Sequence, residues 1–259
     1  MKSKGLTLLL AIVSLVVAGA GLGRFVEPVW RATRAAEPAL RLDSAAAAAG
    51  QGVTLALLGG FRALVADASW VRMYVAWEAR DLPATETLLG LVTTLDPRPV
   101  YFWLNGARIV AYDFPAWRIE TAGGFTAVSP AIQAKFKQQQ GEAALQQIDR
   151  AMQYHPLSAD LWVERANIQL NQLKDLAGAA ESYRRAWQQP RAPYFAARLH
   201  GELLRRAGRS AEALAWLVKL HPELPTNDEG AGAPVVLGRI RDLERELAVP
   251  ANDRYQPAR

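Results

Sequence analysis

The chain contains no cysteine in its 259 residues. Disulfides, thiolate metal centres, a lipoprotein anchor and a cysteine nucleophile are excluded together. Histidine is nearly as scarce: His155, His200 and His221 are the three in the sequence. Two precede prolines, and all three fall in different helical segments. Neither HExxH nor a histidine–carboxylate pair at i, i+4 occurs, which argues against zinc. Strand-like alternation of apolar and polar residues is absent, as are the nucleophile elbow GxSxG and the phosphate-cradling P-loop. The glycine-containing stretches GAGLG and GAGAP do not sit between a strand and a helix, so they read as spacers. Acidic residues such as Asp67, Asp96 and Asp113 are scattered rather than clustered. Asp96 before Pro97 reads as a turn residue. No enzyme chemistry, metal or cofactor follows from these residues.

Charge of one sign is also in short supply. The 30 basic and 25 acidic residues leave a formal charge of +5. That tolerates an anionic membrane surface but lacks the clustered basic stripe of a nucleic-acid binder. Hydrophobic residues make up 51% and charged residues 21% of the chain, enough apolar material for one large or two small globular units.

The one long uncharged run is Gly5–Gly23, preceded by Lys2 and Lys4 and followed by Arg24. About 20 apolar residues cross a bilayer core as a helix. An uncleaved anchor over 1–24 is the favoured expectation; Ala18-Gly19-Ala20 leaves a cleaved signal peptide as the alternative. The lysines favour an N-terminus inside, although Arg24, Arg31 and Arg34 dilute the asymmetry. The soluble part is then expected on the periplasmic side of a bacterial inner membrane.

Residues 25–52 read as a linker. The run LALLGGFRALVADASWVRMYVAWEA is interrupted by Arg62, Asp67 and Arg72, so it is a helix entering a soluble core rather than a second span, broken or bent near Gly59-Gly60. Trp70, Tyr74 and Trp77 lie on one face of it, and with Trp103 and Trp117 they are expected to form packed aromatic core. Residues 53–128 are expected to hold atypical helical repeats and an insertion rich in aromatics, glycine and proline around 114–129.

Further on, one pattern recurs. Ala144, Ile148, Ala151 and Pro156 align with Ala179, Tyr183, Ala186 and Pro190, and then with Ala213, Leu217, Leu220 and Pro225. The offsets are 35 and 34 in the first three columns and 34 and 35 for the proline. Trp162 and Ala166 stand four apart in an intervening helix; Ala197, Gly201, Leu204 and Gly208 follow at spacings of 4, 3 and 4. Small residues at Ala144, Ala166, Ala179, Gly201 and Ala213 let helix axes approach, and the larger neighbours fill the space beside them. Proline ends the second helix, because it lacks an amide hydrogen and restricts the residue before it.

A helix–turn–helix unit repeating near 34 residues resembles the tetratricopeptide (TPR) family over 129–225. A weaker echo lies upstream at Leu89, Val92, Pro97 and Gly106, but the 59 residues from Pro97 to Pro156 (156 − 97) exceed one period by about 25. The layout is similar to that of bacterial membrane-anchored TPR proteins without an assigned function. The resemblance implies an all-α fold: a short right-handed solenoid of helical hairpins behind an N-terminal transmembrane helix, with six to nine helical segments after the anchor. A capping helix within 226–248 is expected to bury Val236, Ile240, Leu243 and Leu247 and to expose Arg239, Arg241, Glu244 and Arg245. Residues 249–259 read as a loose tail.

The resemblance also implies a groove lined by first helices: Asp160, Val163, Asn167, Leu170 and Asn171, then Phe195, Arg198, Glu202, Arg205 and Arg206. Asparagine and arginine there would suit a protein or peptide partner carrying acidic groups. The expected function is a non-catalytic scaffold in an envelope, transport or secretion complex; the alternative is an accessory subunit of a membrane enzyme or transporter that positions rather than catalyses.

Overall fold

The computed structural model describes residues 60–257. The expected anchor, its signal-peptide alternative and the linker lie outside them. Among the described residues no helix is long and apolar enough to cross a membrane. All regular structure there is helical, with no strand. The chain divides into two compact units, residues 1–97 and 98–259, and the sequence boundary expected near residue 128 falls inside the second.

In the first unit, α1 (Arg62–Glu78) and α2 (Leu82–Leu95) form a hairpin. Gly60 turns the chain into α1 at φ +86°, a conformation that suits glycine, and places the break where the Gly-Gly pair predicts it. Asp81 caps α2 by accepting the Ala84 amide at 3.1 Å, and Pro83 occupies the first turn where its missing amide hydrogen costs nothing. Ala66, Trp70 and Met73 are buried on α1, and Leu89, Val92 and Leu95 on α2. The Arg62 guanidinium ties the helix ends by donating to the Leu95 carbonyl at 2.8 and 3.2 Å.

The second unit begins with α3 (Val100–Arg108), a π turn (Ile109–Asp113) and α4 (Phe114–Thr121), which follow one another in continuous helical geometry. The π turn ends just before Phe114-Pro115, and the Pro115 ring would clash with an α-helical carbonyl four residues back. This rod packs along α5 (Pro130–Tyr154). The excess residues therefore do not form an inserted loop as expected: they lengthen both arms of a hairpin, and only 122–129 turn between them. The opening of the second-helix pattern at Gly141 is likewise no helix start. Gly141 lies buried inside α5, where an added Cβ would come 2.8 Å from Leu173 Cδ2 and 3.1 Å from Gln172 Cβ.

Next come α6 (Ala159–Ile168) with a second π turn (Gln169–Leu173), α7 (Leu176–Trp187), α8 (Tyr194–Arg206), α9 (Ser210–Leu220) and α10 (Ala233–Glu246). From α6 onward, helices adjacent in sequence pack on one another. The described residues thus hold ten α-helices, or nine if α3 and α4 count as one rod, against the six to nine expected. Ala144, Ala151, Ala166, Ala179, Ala186 and Ala213 are completely buried, as are their larger companions Ile148, Tyr183 and Leu217 to within a few percent. Pro156 and Pro190 follow the ends of α5 and α7 as their columns require. At the third repeat α9 gives way at Leu220 to a short 3₁₀ turn, His221–Glu223, holding Pro222, before Pro225 is reached.

The period also governs the backbone. Lys174 ends the second π turn at φ +57°, and Gly208, 34 residues later (208 − 174), follows α8 at φ +76°. Each is followed by an amide that bonds back across the helix end: Asp175 to the Gln169 carbonyl and Arg209 to the Leu204 carbonyl, both at 2.9 Å. These are left-handed caps.

At the C-terminus two expectations change. Glu244, expected on the solvent face of α10, is instead 1% exposed. Its carboxylate accepts from Arg241 Nη1 at 2.8 Å and from the Tyr255 amide at 2.6 Å. The segment read as a loose tail folds back far enough for Tyr255 to make that bond and to place its hydroxyl 3.0 Å from His221 Nδ1. Leu247, expected in the apolar stripe, is 38% exposed just past the helix end. Sequence periodicity places Glu244 relative to its own helix axis, but the chain that returns over it decides its burial.

An added Cβ at Gly201 would stand 2.8 Å from Leu217 Cδ2 and 3.2 Å from Trp216 Cδ1. Gly201→Leu should overpack the α8–α9 contact and lower unfolding free energy by about 1–3 kcal/mol in denaturant titration. Burial pushes the Glu244 carboxyl up, but the bonds from Arg241 and Tyr255 outweigh it and hold the group below the ordinary carboxylate range. A depressed carboxylate stabilises the fold above its unfolded pKa, and that contribution disappears as pH falls through the folded value. Glu244→Ala should therefore cost about 1–3 kcal/mol at neutral pH, with the difference from wild type narrowing in acid unfolding curves.

Candidate functional site

The helix-pair packing brings polar side chains from the first arms of two successive hairpins into one row. Arg108 closes α3 and Tyr112 lies in the π turn after it; Glu164, Asn167 and Asn171 stand along α6 and its own π turn at spacings of 3 and 4. Spacings of 3 and 4 keep a set of side chains on one helical face. Gly141, by admitting Leu173 and Gln172, lets the end of the second π turn lie close against α5.

Arg108 Nε donates to Glu164 Oε2 at 2.8 Å. The Glu164 side chain is 3% exposed, whereas that of Arg108 is 51% exposed. The pair thus joins a buried carboxylate to a cation that still meets solvent. Tyr183, from α7, donates its hydroxyl proton to Asn167 Oδ1 at 2.6 Å. Asparagine retains two N–H donors when its carbonyl is used in this way. Burial raises the Tyr183 phenol to about 12, helped by the neighbouring Tyr112 and Glu164. Tyr112 is also raised by burial, with the Asn171 side chain opposing the shift. Both phenols are therefore neutral hydrogen-bonding groups at neutral pH. The row offers amide and guanidinium donors above a buried acceptor layer. It holds no nucleophile paired with a base.

The sequence-predicted groove residues divide. Asn167 and Asn171 join this row. Leu170 packs instead against the buried cluster of Ala166, Ala179, Tyr183 and Leu203. Phe195 is 41% exposed on α8. Arg198 turns away to the loop before α10, donating to the Gly230 and Ala231 carbonyls at 2.8 and 2.5 Å. Arg205 pairs with Glu202 at 2.7 Å, and Glu202 also faces Arg239 at 3.6 Å. Arg206 is exposed. The three arginines thus do not converge as one free cationic cluster: Arg198 anchors a loop and Arg205 has a carboxylate of its own.

Arg108, Tyr112, Glu164 and the hydroxyl of Tyr183 escape the sequence reading. Arg108 and Tyr112 carry a usable signal in their i, i+4 spacing, but their place beside α6 depends on the lengthened first hairpin. Tyr183 reads correctly as a space-filler, being 2% exposed in the core; its polar end is visible only in three dimensions.

The histidines occupy separate surroundings. His200 is buried, donates from Nδ1 to the Ala180 carbonyl at 2.7 Å and meets the Trp216 ring edge-on at 4.5 Å. Burial lowers its pKa despite that bond. Among the described residues no group of three histidine or acidic side chains could hold a metal ion.

Because the Tyr183 phenol is raised in the folded chain, its stabilising contribution is complete below the unfolded value near 10 and is lost as pH rises toward about 12. Tyr183→Phe should lose about 1 kcal/mol at neutral pH with the hydrogen bond to Asn167. It should also show a shallower loss of stability between those two pH values, measured by alkaline denaturation.

In comparison with known proteins, no protein-family model and no curated protein matches this chain.

Proposed function

We propose that the chain is a non-catalytic scaffold of the tetratricopeptide type, held at a bacterial inner membrane by its N-terminal apolar run, that engages a partner protein in an envelope, transport or secretion complex. The observation that carries this reading is the polar row on the first arms of helical hairpins repeated near 34 residues. Repeats of this kind form a continuous core by stacking and leave an extended surface for binding. The row supplies what an extended or acidic protein segment requires: amide groups at Asn167 and Asn171, the exposed side of Arg108, and the cationic ends of Arg205 and Arg206 on α8. Glu164 and Glu202 already accept from arginines within the chain, so the row attracts acidic groups without leaving a buried charge unpaired.

The test is recovery of bound proteins with the full-length chain from solubilised membranes, identified by mass spectrometry. Asn171→Ala, Arg205→Ala and Arg206→Ala combined should leave helicity and thermal unfolding close to wild type, because alanine favours helix. Partner recovery should fall by about tenfold, the size expected when roughly 1.4 kcal/mol of contact is lost. Undiminished recovery by the folded triple variant would remove this row from the binding surface.

A further inference from the structure

Helix α1 carries two apolar stripes on opposite sides. One, with Ala66, Trp70 and Met73, is buried in the hairpin with α2. The other consists of Phe61, Leu64, Ala68, Val71 and Val75, at spacings of 3, 4, 3 and 4. Leu64, Val71 and Val75 are each 64% exposed, and Phe61 is 59% exposed. A surface helix ordinarily turns a charged face outward. Here the outward face has the a and d positions of a heptad seam, with Phe61, Ala68 and Val75 at a and Leu64 and Val71 at d.

We infer that this outer stripe of α1 docks against the same stripe of a second copy of the chain, in parallel. Charge settles both occupant and direction. With Phe61 at position a, Asp67 falls at g and Arg72 at the following e. In a parallel pair, g of one helix meets the next e of the other, so Asp67 of each copy faces Arg72 of its mate on both flanks of the seam. An antiparallel pair puts g beside g and e beside e, and the two charges fall on opposite flanks. Both side chains are exposed, and neither has an ion-pair partner among the described residues. A lipid surface would gain nothing from an acidic residue bordering the stripe. Ala68 at the central a position permits close approach. The seam is about two heptads long, short for an isolated coiled coil, but each helix is already held in its hairpin, so docking need not order it.

The natural absence of cysteine makes the test direct. Single replacements Leu64→Cys, Val71→Cys and, as a control on the exposed side of α2, Glu86→Cys are made in the full-length chain in mild detergent. Cu(II)-phenanthroline oxidation should link copies through position 64 and through position 71, but not through 86, because in a parallel pair each seam residue meets its own counterpart. Sedimentation equilibrium should give a dimer for the wild type. Asp67→Arg should raise the dimer dissociation constant by about tenfold, and Asp67→Arg with Arg72→Asp should bring it back to near wild type. Equal linking at 86, or a monomeric wild-type chain at tens of micromolar, overturns the inference. Linking of the Leu64→Cys variant only when mixed with Val75→Cys indicates an antiparallel pair and overturns it as well. A monomeric Val71→Cys variant, labelled with a fluorophore at that position, whose emission shifts to the blue with lipid vesicles would assign the stripe to a lipid surface instead.

Discussion

The second unit depends on how closely its paired helices approach. Completely buried alanines at 144, 166, 179 and 213, with Gly201 opposite Leu217, bring helix axes within reach of full side-chain packing. Interiors are packed as densely as organic crystals, so a seam built of small residues leaves no room for an added methyl group. The companions Ile148, Tyr183 and Leu217 then fill the flanks. Everything else in the unit follows from that spacing: the length of each helix, the left-handed residues at Lys174 and Gly208, and the side on which polar groups emerge.

Close packing also puts polar chemistry into the wall of the core. Tyr183 belongs to the buried cluster by its ring and to the polar row by its hydroxyl. Glu164 is almost fully enclosed, and the partly solvated Arg108 provides its ion-pair partner. Removing one member of such a pair is costly because the other is left charged in a poor solvent. The row is therefore anchored from below, with its outward donors at Asn171 and Arg108 held on a rigid base. The same principle operates at the far end of the unit, where Arg198 fastens the loop carrying Gly230 and Ala231 and Glu244 receives the returning chain through Tyr255.

The first hairpin of that unit shows how length becomes geometry. A surplus of about 25 residues over one period suggests an insertion, and aromatics with glycine and proline suggest where. The surplus is instead distributed over the two arms, with Pro115 accommodated just after a π turn and only a short connection left irregular. The lengthened arm carries Arg108 and Tyr112 to the level of Glu164 and Asn171, so the polar row owes its width to those extra residues.

The sequence by itself determined the helical class, the positions of the second helices and the burial of the alanine columns, because 3.6-residue periodicity and small-residue spacing are local properties read along one axis. It also determined that Gly60 breaks the chain and that Pro156 and Pro190 follow helix ends, since these limits arise within a few residues. Only the tertiary structure decided that Gly141 lies within a helix rather than at its start, that Arg198 serves a loop and Arg205 an internal carboxylate, and that Glu244 is buried. Those outcomes depend on which segment, distant in sequence, comes to lie against each side chain. Long arginine and glutamate side chains reach several ångströms from their backbone, so their partners are chosen by the packing of neighbouring helices and returning loops, about which periodicity along a single helix carries no information.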